Sequence, residues 1–239
     1  MRKEYFKIES IPAILWGESS ENIFIAVHGN MSNKEDNAIV IFAEQAVKLG
    51  YQVISFDLPE HGERNKDGIQ CKVQGCVREL SLVMSYVKQR WNNISLFACS
   101  MGAYFSLIAY KDEIINQTLF LSPVVNMERI ITNMMKWFNI DEEQLKNQQT
   151  VQTPIGQNLY WDYYCYVKDN PIDTWNNPTS VLYGSKDDLS ESEIVFKFIE
   201  RFKCNIVVME EGEHYFHTEE QLKFFESWLS NRIIIFNTI

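Results

Sequence analysis

The sequence predicts a parallel α/β domain, one sheet flanked by helices. Three observations carry this. Short apolar runs recur along the 239 residues, each run ends in a polar loop, and most intervening stretches carry apolar residues at helical spacing. Runs this short and this apolar suit strands buried on both faces. Strands alternating with helices then pair in parallel through right-handed crossovers.

Residues 3–9 and 11–16 read as two strands of an N-terminal hairpin. Further strand runs fall at 23–28, 52–57, 94–98, 118–122, 179–183 and 205–209. The stretch 36–49 places Ile39, Phe42, Ala46 and Leu49 on one helical face and stops at Gly50, a residue suited to the position just past a helix end. Residues 72–90 place Val73, Val77, Leu80, Met84 and Val87 at spacings of three and four. Residues 101–110, 190–202 and 218–230 read as helices in the same way.

The segment 124–176 breaks the rhythm. It shows no clear strand and is rich in aromatics, among them Trp137, Phe138, Trp161, Tyr163 and Trp175. It is too long for a simple loop. The expectation is a mostly helical insertion covering one end of the sheet, within a single domain spanning 1–239.

Composition narrows the function classes. Hydrophobic residues make up 46% of the chain, enough for a large core, and the formal net charge is −10. Such a chain repels phosphate backbones and anionic bilayers, so neither nucleic acid nor a membrane is an expected partner. No stretch approaches the roughly 20 apolar residues of a spanning helix. The opening Met1-Arg2-Lys3-Glu4-Tyr5-Phe6 lacks the apolar core of a signal peptide. The five cysteines, Cys71, Cys76, Cys99, Cys165 and Cys204, match no zinc spacing. They read as reduced thiols, so the expected compartment is the cytoplasm.

The chemistry sits in the loops. Ala98-Cys99-Ser100-Met101-Gly102 joins a strand run to a helical run, with Ser100 at the apex. Small residues two before and two after the serine permit a tight, strained turn. Alone, this string would also suit a serine that caps a helix. A serine nucleophile needs a base. Of four histidines, His214 follows the last strand run, at the end of the sheet where α/β proteins hold their sites. His217, placed in the first turn of the next helix, is the competitor. An acid must orient the imidazole. The loop Gly184-Ser185-Lys186-Asp187-Asp188 offers Asp187, with Asp188 adjacent; Asp188 or Ser190 suits better as the cap of the helix that follows.

The Ala98–Gly102 string resembles the nucleophile elbow, G-x-S-x-G, of the α/β-hydrolase superfamily, with Ala98 in place of the first glycine. The loop G-x-x-D ending at Asp187 resembles the family's acid loop, and the chain order Ser, Asp, His is that of the family. His28-Gly29-Asn30 resembles its oxyanion loop. Asp57-Leu58-Pro59-Glu60-His61-Gly62 resembles its D-x-P-G-H-G loop, with Glu60 where glycine is usual. The resemblance runs from about residue 28 to His214 and leaves only 124–176 unmatched. It implies an α/β-hydrolase fold with a mostly parallel eight-stranded sheet, one antiparallel strand near its start and a lid after the sixth strand. It also implies no cofactor and no metal, and a triad of Ser100, Asp187 and His214. The oxyanion donors would be the backbone N–H groups of Asn30 and Met101. His28 reads as structural, and the Asp57–Arg64 loop as shaping the site entrance.

The expected function is a serine hydrolase acting on a carboxylic ester of a small or medium apolar molecule. A thioester or peptide substrate on the same triad, a cofactor-free lyase or perhydrolase, and an inactive binding scaffold stay open. Oligomeric state is open too, because the apolar run Ile233–Phe236 could complete the core or join two copies.

Overall fold

A computed structural model describes residues 1–236. The chain opens with β1 (Lys3–Ile8) and β2 (Ile11–Trp16), the expected hairpin, and continues with β3 (Asn22–Val27), α1 (Asn37–Lys48) and β4 (Gln52–Phe56). Then come α2 (Val73–Lys88), β5 (Asn93–Cys99), α3 (Met101–Ala109) and β6 (Thr118–Leu121). The next segment holds α4 (Met127–Trp137), α5 (Glu142–Gln148), β7 (Thr150–Gln152), β8 (Asn158–Tyr160) and α6 (Trp161–Asp169). The chain then forms β9 (Thr179–Gly184), α7 (Ser192–Phe202), β10 (Asn205–Met209) and α8 (Glu219–Arg232).

Eight strands form one sheet in the order β1-β2-β4-β3-β5-β6-β9-β10. Only β2 runs against the others: it pairs antiparallel with β1 and β4, and every later pairing in this sheet is parallel. Alternation along the strands divides the core between the two faces. On β3, Ile23, Ile25 and Val27 join one apolar cluster, which includes residues of α2 and α3. Phe24 and Ala26 join the other, with residues of α1 and α8. There Phe42 stacks on Phe97 with ring centroids 4.0 Å apart, and Phe97 meets Phe225 at 5.9 Å, which ties α1 and α8 to the sheet centre.

Two expectations are corrected. The segment 124–176 is not strand-free: β7 and β8 form a small antiparallel hairpin, with buried Val151 opposite Leu159. Three residues per strand are too few for a period to show in sequence. The turn is made by Gly156 at φ +82°, whose N–H donates to the Thr153 carbonyl. His217 is not in the first turn of α8, because Thr218 caps that helix and Gln221 completes the capping box. At the C-terminus, Ile233 and Phe236 pack on the chain's own α1/α8 cluster, while Ile234 and Ile235 are exposed. The Ile234 carbonyl accepts from the Tyr51 hydroxyl at 2.6 Å and from Gln117 Nε2 at 2.8 Å. No helix among the described residues is long and apolar enough to cross a membrane.

Candidate active site

Ser100 stands between β5 and α3 at φ 48°, ψ −119°. A side-chain-bearing residue held there costs roughly 1–3 kcal/mol, so the surroundings must enforce the turn. They do so by close backbone contact. A Cβ on Gly102 would lie 2.3 Å from the His28 carbonyl oxygen and 2.8 Å from that of Val27. Only glycine lets α3 start this close to β3. The Ser100 N–H donates to the Leu121 carbonyl at 3.0 Å, which joins the turn to β6. The alanine at position 98 is harmless, because its methyl is buried in the apolar core.

The structure brings Ser100, His214 and Asp187 together. His214 Nε2 lies 2.8 Å from Ser100 Oγ, and Nδ1 lies 2.8 Å from Asp187 Oδ2. With Nδ1–H donating to the carboxylate, Nε2 presents its lone pair to the serine hydroxyl. The Asp187 side chain is fully buried. Its other oxygen accepts the N–H groups of Leu189 at 3.0 Å and Ser190 at 2.8 Å, which fixes the carboxylate's orientation. The two loops meet where side chains are absent: a Cβ on Gly184 would sit 2.3 Å from the Gly212 carbonyl oxygen. That carbonyl accepts the Lys186 N–H at 2.7 Å.

The competing residues point elsewhere. Asp188 is exposed. His217 stacks on Tyr215, and its Nδ1 lies 2.8 Å from the Tyr215 carbonyl. Neither Asp188 nor Ser190 caps α7. The cap position belongs to Glu191, whose side chain instead takes Arg129 Nε at 3.0 Å and Asn133 Nδ2 at 2.7 Å.

Asn30 and Met101 line the same pocket as Ser100. Gly29 is pressed against the serine, since a Cβ there would lie 3.1 Å from Ser100 Cβ. The Met31 N–H is taken by His61 Nε2 at 3.1 Å. His61 thus holds this loop as well as lining the pocket; its Nδ1 lies 2.7 Å from the Pro59 carbonyl. His28 is buried, and its Nε2 accepts the Leu58 N–H at 3.0 Å. Burial pushes its pKa down to about 4, which keeps it neutral.

Sequence reasoning missed the ion cluster under these loops. Fully buried Asp57 accepts from Lys34 N–H at 2.9 Å, Lys34 Nζ at 2.6 Å and Glu63 N–H at 3.0 Å. Arg64, also buried, donates to the Asp57 carbonyl and to Glu79. Lys34 comes from one loop, Asp57, Glu63 and Arg64 from another and Glu79 from α2, so the cluster as a whole has no spacing to read; the only signal was several charged residues crowded around the His-Gly loops.

The pocket over Ser100 has a volume of about 480 Å³. Its apolar wall includes Met101 and Val124, with Met127, Ile131 and Met134 of α4 and Leu159 of the small hairpin. Among the described residues no group of three or more His, Cys, Asp or Glu side chains could hold a metal ion.

No family model matches the sequence. A monoglyceride lipase homolog of Monkeypox virus is 22% identical over 232 residues, with 80% of this chain and 83% of that protein covered. Est1E of Butyrivibrio proteoclasticus, solved with ferulic acid bound, superposes with a TM-score of 0.78 at 18% identity, covering 95% of this chain and 96% of that one. Mouse alpha/beta hydrolase domain-containing protein 10 superposes with a TM-score of 0.75 at 14% identity, covering 97% and 98%. Likeness across nearly the whole length, with the sheet order and elbow described above, makes this chain a member of the α/β-hydrolase fold.

Proposed function

We propose that the protein is a serine hydrolase that cleaves a carboxylic ester through an acyl-enzyme on Ser100. The observation that carries this reading is the hydrogen-bonded chain Ser100–His214–Asp187 opening into an apolar pocket. Ser100 Oγ attacks the acyl carbon while His214 Nε2 takes its proton. Asp187 holds the imidazole in the required tautomer and stabilises the imidazolium. The N–H groups of Asn30 and Met101 receive the developing oxyanion; losing one such donor typically costs about 3 kcal/mol. His214 then protonates the leaving alcohol, and a water activated by the same imidazole releases the acid.

The substrate is a small or medium apolar ester, as the apolar wall and the volume of about 480 Å³ favour. The segment 124–176 acts as a lid on the one hydrolase domain, a role supported by its share of that wall. Ester hydrolysis is also the chemistry that a lipase performs, and the viral relative is named a monoglyceride lipase homolog.

The test is labelling with a fluorophosphonate and measurement of intact mass. A single adduct on the wild type, absent in Ser100→Ala, is expected. Well-folded wild type without an adduct would refute an assembled, open triad. A parallel panel of esters, thioesters and aminoacyl amides then ranks the substrate classes, with esters expected fastest.

A further inference from the structure

Outside the triad, two thiols meet at the edge of the pocket. Cys71, half-buried, lines the pocket wall just before α2, and Cys76 is buried in the first turns of that helix. Their sulfurs are 3.6 Å apart. A disulfide requires about 2.05 Å, so small side-chain rotations close the gap. The Cys71 N–H is already held by Glu60 Oε2 at 2.7 Å, which fixes the approach of the chain.

We propose that Cys71 and Cys76 form a site of reversible oxidation by hydroperoxides, closing to a disulfide in the wall of the active-site pocket. The two cysteines divide the work by environment. The Cys76 thiol bonded to it and the His61 imidazole beside it hold Cys71 below the usual thiol range. The same sulfur contact, with burial, holds Cys76 well above it. Cys71 is therefore the attacking thiolate, open to the pocket, and Cys76 the protonated resolving thiol. A third group belongs to the cluster. The Tyr163 hydroxyl is buried without a hydrogen-bond partner among the described residues; burial first, and then the nearby charge on Cys76 and Cys71, push its pKa up.

The steps balance with hydrogen peroxide as oxidant. The Cys71 thiolate attacks one peroxide oxygen and the O–O bond breaks. This gives a Cys71 sulfenic acid and hydroxide, which takes a proton from solvent. Cys76 sulfur then attacks Cys71 sulfur, the S–S bond forms, the S–O bond breaks, and the departing hydroxide leaves as water with the Cys76 proton. Two thiols and one peroxide yield one disulfide and two waters, and an external thiol reverses the change. The location gives the modification a structural handle. The pair lies where α2 meets the inserted segment, next to the Lys72–Asp162 ion pair at 2.9 Å and the Gln74 bond to the Asp162 carbonyl.

The experiment uses the intact protein, hydrogen peroxide in small molar excess, alkylation of the remaining thiols, and tryptic mass mapping. Trypsin cuts at Lys66, Lys72 and Arg78, so the two cysteines fall in separate peptides, 67–72 and 73–78. The expected result is these two peptides linked and lighter by two hydrogens, with Cys99, Cys165 and Cys204 still alkylated. Dithiothreitol should separate them. In Cys76→Ser, dimedone should trap the sulfenic acid on Cys71. The proposal is overturned if the linked pair is absent while other cysteines oxidise first, or if it forms no faster than in urea-unfolded chain. The wild-type measurement stands even if the variant misfolds. Because the readout is mass, it does not depend on the hydrolase reading.

Discussion

The turns that carry Ser100, Asp187 and His214 and the segment 124–176 face each other across one pocket, and they are built differently. The turns are held by backbone. At Gly102 and Gly184 main chains pass so close that a Cβ would fall 2.3 Å from a carbonyl oxygen. The inserted segment is held by side chains on short elements. Outside its apolar contacts, its ties are part-exposed pairs such as Lys72–Asp162, Lys168–Glu142 and Arg129–Glu191. Exposed pairs like these contribute about 0–1 kcal/mol each. The difference teaches that Ser100, Asp187 and His214 are placed by constraints tolerating almost no substitution, while the apolar wall opposite them rests on side chains that can be exchanged one at a time.

The sharpest way to break the turn side is Asp187→Asn. The geometry survives, but the amide oxygen stays with the Leu189 and Ser190 N–H groups, so the NH2 group faces Nδ1, donates to it and favours the wrong tautomer. Turnover of an ester substrate should fall by about four orders of magnitude, with KM little changed. Unchanged turnover would remove Asp187 from the mechanism. Next in size is Gly102→Ala, which drives a methyl into the His28 and Val27 carbonyls. It should destabilise the fold by roughly 3 kcal/mol, read as a lowered urea midpoint. The same substitution at Gly68, which has nothing within 4 Å but a φ of +75°, should show only the smaller cost of backbone strain.

His28 predicts a pH dependence of similar size. Its folded pKa of about 4 lies below the ordinary histidine value of 6.5. The unfolded chain therefore binds a proton that the folded chain refuses, so this stability is fully present above pH 6.5 and is lost as pH falls toward 4. The loss amounts to about 3 kcal/mol. Urea midpoints measured from pH 7 to pH 4 check this, with His28→Gln expected to flatten the slope over that range. The smallest effect belongs to the inserted segment. Met134→Ala enlarges the apolar wall without touching the triad. It should shift the preference between short and longer acyl esters by about tenfold in the ratio of kcat/KM, leaving fluorophosphonate labelling of Ser100 intact.

Most of the fold was legible because buried strands and amphipathic helices write their periods into the chain. Every strand of the main sheet lies within a residue or two of its expected range. The hairpin β7–β8 was not legible, since three residues cannot display a period of two against background. Ser100 was legible because its turn needs small residues at fixed offsets. His61 holding the Met31 amide, Lys34 buried against Asp57, and Cys71 meeting Cys76 were not, because each joins side chains whose meeting depends on how loops cross in space.

By itself the sequence determined the alternation of strand and helix and the position of the elbow, because local spacing imposes both on a chain with one buried sheet; the order Ser, Asp, His came from the resemblance to the α/β-hydrolase superfamily. Of the two adjacent aspartates the resemblance favoured Asp187, and tertiary structure decided the contact by which it faces the imidazole. Asp187 and Asp188 are chemically identical neighbours; the N–H groups of Leu189 and Ser190 hold the buried Asp187 carboxylate against the imidazole, while Asp188 stays in solvent. It also decided that the inserted aromatic segment would lie over Ser100, a placement set by apolar burial, which has no direction until the sheet exists to receive it.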